Sequence, residues 1–96
     1  MSIKTKTGAV AEKLDLIRSL ALAAGAQDTL KLVDGLSLML EKARITDWSG
    51  IVADEINRIG THAAEEVKDE KAGRRISWAF RALGELVRGS IGGSLL

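Results

Sequence analysis

The chain has 96 residues, 46% of them hydrophobic, and carries 14 basic against 13 acidic side chains for a formal charge of +1. That length holds one domain, the apolar fraction is too high for a disordered chain, and the balanced charge excludes a bulk attraction to polyanions. With no Cys, no Tyr and a single His, disulfides, thiol chemistry and most nucleophile–base or metal arrangements are excluded as well.

The apolar residues are mainly Leu, Ala, Ile and Val, with one Phe, two Trp and no Pro. Aliphatic side chains at helical spacing, few turn signals and short connections predict an all-α fold. The expected architecture is a small bundle of three to four amphipathic helices, with dimerisation available to complete it. Residues 1–7 read as a flexible polar arm, 8–88 as a single helical domain and 89–96 as a flexible tail rich in Gly and Ser. The first eight residues carry charge with no apolar run behind them, so no signal peptide is expected. No stretch approaches the ~18 uninterrupted apolar residues of a membrane span, and a cytoplasmic location is the expectation.

The first helix is predicted over about Thr7 to Ala24. Val10, Leu14, Ile17, Ala21 and Ala24 recur every three or four positions and share one stripe, widened by Leu16, Leu20 and Ala23. Gly25 suits its C-terminal cap. A second helix runs to about Ala43, with Asp28 as its N-cap. Leu32, Leu36, Met39 and Ala43 form its main stripe, with Val33 and Leu40 beside it. Leu30 and Leu38 lie well off that stripe, and such surplus apolar positions point to a covering neighbour or a second subunit.

The third helix is expected from about Asp47, capped by Thr46 or Asp47, to Lys68. Trp48, Val52, Ile56, Ile59, Ala63 and Val67 form the longest consistent stripe, and Gly60 beside it would let another helix approach closely. Asp54 and Arg58 are spaced to pair. A break is placed near Gly73, followed by a fourth helix over Arg74 to Arg88 with Ile76, Ala79, Phe80, Leu83 and Val87 inward. The Glu70–Arg74 spacing also suits an unbroken helix, so the sequence leaves open whether the third and fourth helices are continuous.

Chemistry is sparse. His62 with Glu65 or Glu66 has two-ligand spacing on a helix face, yet neither Cys nor a second His is present to complete a metal site. Gly89 to Gly93 lacks the strand, helix and Lys of a phosphate loop. Ala21 to Gly25 has the spacing of a helix-turn-helix corner, but the following helix offers Lys31 as its only base beside Asp28 and Asp34. No catalytic residue, metal or cofactor is expected.

Helix four carries the strongest functional signal. Trp78 lies ~160° from Ile76 around the helix, among Arg74, Arg81, Glu85 and Arg88. Trp and Arg are the residue types enriched at binding hot spots, and Arg can stack on an indole. Trp78, Arg74, Arg81, Arg88, Leu30 and Leu38 are therefore the candidate partner-binding residues.

Trp48-Ser49-Gly50 lies at the middle of the chain with helical pattern on both sides. In this it resembles the WxG family of small secreted helical hairpins, where the tripeptide marks the turn between two antiparallel helices. The resemblance implies a dimeric substrate of a specialised bacterial secretion system. It covers three residues plus length, and the sequence departs from the family in its break at Gly25 and Asp28 and in lacking any Tyr.

The expected function is that of a non-catalytic helical interaction protein, neither an enzyme nor a membrane-spanning protein, that binds another protein or complex and forms a homodimer. Regulators, assembly chaperones, antitoxins and phage- or plasmid-encoded inhibitors share this profile. A nucleic-acid-binding module using the Arg-rich face of the last helix is the alternative, and the secreted hairpin a further one.

Overall fold

A computed structural model describes residues 3–42 and 48–89, with the side chains of 8–42 and 50–88. Four α-helices follow one another: α1 Ile3–Ala24, α2 Gln27–Lys42, α3 Ala53–Glu66 and α4 Glu70–Gly89, with one π-helical turn, Trp48–Val52, leading into α3. Each packs on its neighbours in sequence, and α4 closes the ring by packing on α1. The fold is an all-α bundle, as the aliphatic periodicity predicts.

α1 is assigned from Ile3, ahead of the expected Thr7, because nothing from Lys4 to Thr7 breaks a helix. Val10, Leu14, Ile17 and Ala21 are buried, whereas Leu16 and Ala23 stay exposed. Gly25 ends the helix at φ +71°, a left-handed conformation that favours glycine. Its N–H donates to the Leu22 carbonyl at 3.1 Å and the Ala26 N–H to the Ala21 carbonyl at 2.9 Å. These two bonds satisfy carbonyls that the end of α1 would otherwise leave open.

α2 departs from expectation in two respects. Its buried positions are Thr29, Val33, Leu36 and Leu40, with Leu32 and Met39 only partly covered. Ala26 rather than Asp28 holds the cap position, since its carbonyl accepts the Leu30 N–H at 3.0 Å. Alanine has no side-chain oxygen, and Glu66 from the end of α3 supplies the missing acceptor. Its carboxylate receives the Asp28 N–H at 3.1 Å and the Thr29 N–H at 2.8 Å. On the outer surface Arg18 links α1 to α2 through Asp34 at 3.2 Å and Ser37 at 2.7 Å.

Val52 at the end of the π-helical turn, Ile56, Ile59 and Ala63 in α3, and Val67 just after it are buried in the predicted order. Arg58 pairs with Glu55 rather than Asp54, since the turn of three residues brings those two together. The break before α4 falls at Val67–Asp69, not at Gly73. Val67 turns extended at φ −83° and ψ 110°. Asp69 then caps α4: its side chain accepts the Ala72 N–H at 2.8 Å and its carbonyl the Gly73 N–H at 2.8 Å. Gly73 is tolerated inside the first turn.

Ile76, Ala79, Phe80, Leu83 and Val87 line the inner face of α4. Gly60 permits the close contact of α3 with α4, since a Cβ there would stand 3.1 Å from Phe80 Cβ. Four helices replace the two-helix hairpin implied by the Trp48–Gly50 resemblance, because Gly25 and Val67–Asp69 each stop a helix. The Thr46 or Asp47 cap, the side chains of Ala43 and Trp48, and the tail beyond Gly89 lie outside the described residues. Among the described residues, no helix is long and apolar enough to cross a membrane.

Candidate functional site

The core stripe of α4 fixes where its other side chains go. With Ile76, Phe80, Leu83 and Val87 turned inward, Trp78 stands on the opposite face and is 66% exposed. The Arg81 guanidinium carbon lies 5.7 Å from the centre of the indole, within cation–π range. Such a contact holds the ring in place more than it stabilises the fold, being worth ~0.5–1 kcal/mol at an exposed position.

Trp78 borders an open groove of about 830 Å³ between α3 and α4. Its floor combines apolar residues with small ones, among them Ile56, Gly60, Phe80 and Gly84. Asn57, Thr61 and Ala64 form the α3 rim, while Glu70, Arg74, Trp78, Arg81, Glu85 and Arg88 line the α4 side. Gly60 packs on Phe80 and Gly84 lies next to Ile56, so the two helices run close together and the groove opens to the outside along their contact. Arg74 is 2.6 Å from Glu70. Arg81, Glu85 and Arg88 make no ion pair among the described residues.

The structure brings together four of the six sequence-predicted residues: Trp78, Arg74, Arg81 and Arg88 share this face. Leu30 lies elsewhere, on α2, partly buried against the core. Leu38 is also on α2 and is 56% exposed. Sequence reasoning missed the groove itself, including Asn57, Thr61, Ser77 and Gly84. The signal available was small residues at Gly60 and Gly84 on helices that turn out to face each other. It also missed the exposed Leu22 and Ile51.

His62 Nε2 lies 3.7 Å from Glu66 Oε1, beyond hydrogen-bond reach. Glu66 is already committed to the start of α2, and the hydrogen bond from the Thr29 hydroxyl holds its carboxyl below the ordinary carboxylate range. Among the described residues, no group of three or more His, Cys, Asp or Glu side chains is arranged to hold a metal ion.

The fold and this surface define a small helical bundle with an aromatic–arginine face beside an open groove. No protein-family model, curated protein or solved structure matches the chain.

Proposed function

We propose that this protein is a non-catalytic interaction protein that acts by docking a protein partner on the outer face of α4 and the adjoining α3–α4 groove. The observation that carries the reading is the exposed Trp78 indole held by Arg81 at the edge of that groove. An exposed indole with a guanidinium against it combines two of the residue types most enriched at the hot spots of protein interfaces. Regulators, assembly chaperones, antitoxins and inhibitors of larger complexes all work this way.

Nucleic acid, the other partner class that the arginines suggest, has less support. Asp69, Glu70 and Glu85 share the groove with Arg74, Arg81 and Arg88, and Glu70 already engages Arg74. Carboxylates at that density oppose phosphate binding.

Affinity capture from the native host, with wild type, Trp78→Ala and Arg81→Glu as parallel baits, tests the proposal. A partner retained by wild type should be lost by both variants, and titration of the purified pair should show a loss of at least ~2 kcal/mol. Equal affinity across the three proteins would overturn it.

A further inference from the structure

Six of the eight exposed residues described on α4 form one stripe, Glu70, Arg74, Trp78, Arg81, Glu85 and Arg88, with Lys71 and Arg75 on its flank. At 100° per residue the six fall within an arc of about 80°, and the stripe runs about 27 Å along the helix. Along it the chemistry reads acid, base, indole, base, acid, base. Read backwards, it is base, acid, base, indole, base, acid. The two orders are complementary at every position.

We propose that the partner seated on this face is a second copy of the chain, with the two α4 helices antiparallel about a two-fold axis near the Trp78–Arg81 step. In that register Glu70 meets the partner's Arg88, Arg74 meets the partner's Glu85, and Trp78 meets the partner's Arg81. The axis then repeats each contact in reverse. Opposite charges face each other four times, and a guanidinium faces an indole twice.

Neighbouring registers lack this match. Sliding one step along the stripe in one direction sets Arg74 against the partner's Arg88 and Arg81 against its own copy. Sliding the other way opposes Glu70 to the partner's Glu85 and Arg74 to the partner's Arg81. A parallel pairing sets every charge against itself. Like charges thus select a single arrangement. The small residues Ser77 and Gly84 and the uncharged α3 rim leave room for the incoming helix. A uniformly acidic or basic partner would meet charges of its own sign on this face.

The inference rests on reading this surface as a protein-docking site, and its test separates the two. Sedimentation equilibrium of the purified chain, over about two decades of concentration up to about 500 µM, should show a dimer. Arg74→Glu and Glu85→Arg, each alone, oppose like charges twice in a homodimer and should weaken it at least about tenfold. An equimolar mixture of the two variants should restore dimerisation. In the mixed pair the two substituted positions face each other with opposite signs, and the other contact is native. Each variant's own helix is the same alone and mixed, so rescue reports contact across the axis. Circular dichroism checks that both variants fold.

A strict monomer throughout the range would overturn the second copy as occupant, while the docking reading would still be decided by capture with the Trp78 variant. A dimer indifferent to both substitutions, or a mixture as weak as its components, would also overturn this arrangement.

Discussion

The Glu66 carboxylate, at the last residue of α3, accepts both the backbone N–H of Thr29 at 2.8 Å and its hydroxyl at 2.5 Å. Thr29 is fully buried, and Asp28 donates a third hydrogen bond to the same side chain. One acidic residue therefore closes the N-terminus of a helix 37 positions earlier in the chain. It serves as the cap that Ala26 cannot be.

Glu66→Ala removes that acceptor and leaves the Thr29 hydroxyl buried without it. Unfolding in urea should show a loss of about 1–2 kcal/mol, the range for a lost helix cap. A variant as stable as wild type would show that solvent replaces the carboxylate at no cost.

The same contact sets a pH dependence. Hydrogen bonding from the Thr29 hydroxyl, helped by the Thr29 and Asp28 amides, holds the folded Glu66 carboxyl below its unfolded value. The unfolded chain then binds the proton more readily. Stability from this group is fully present above the unfolded carboxyl's value and is lost as pH falls through the lower folded one. Denaturation series from pH 7 to pH 3 should show a shallower acid loss for Glu66→Gln than for wild type.

Glycines at two helical positions should respond in opposite directions. Gly35, in the middle of α2, has open space around it, so Gly35→Ala should stabilise by about 0.5–1 kcal/mol through helix propensity. At Gly60 the new methyl would lie 3.1 Å from Phe80 Cβ, an atom fixed to the α4 backbone that cannot swing aside. Gly60→Ala should cost about 1 kcal/mol net, since parting the helices outweighs the propensity gain. Thermal or urea unfolding of the two variants checks the contrast.

Trp78 and Phe80 separate surface from core on one helix. Phe80→Ala should cost about 3–5 kcal/mol, because the ring is buried between α3 and α4. Trp78→Ala should change stability by less than about 1 kcal/mol while abolishing partner binding. A large stability loss at Trp78 would mean that the indole supports the fold and not an interface.

Much of the bundle could be read from spacing alone. The α1, α3 and α4 stripes follow from aliphatic residues recurring every three or four positions, and Gly25 suits the left-handed end of α1. Trp78 was visible because it falls opposite Ile76. The α2 stripe was harder: Leu32, Val33, Leu36, Met39 and Leu40 suit more than one phase, and burial of Thr29 under Glu66 selects among them. The break at Val67–Asp69 was missed because Gly73 is the weaker helix former. A capping Asp decides the boundary, and glycine costs little in a first turn whose N–H groups are satisfied from outside. The groove was beyond sequence reading, since it exists only where α3 and α4 pack together, with Gly60 against Phe80 and Gly84 beside Ile56.

The amides of Asp28 and Thr29 depend on a side chain from another helix rather than on α2 itself. Their exchange with deuterated solvent consequently clocks departures of the α3 terminus, even while α2 stays wound. Because Val67 and Asp69, just beyond that terminus, line the α3–α4 groove, these two protons form a built-in gauge of events at its far end.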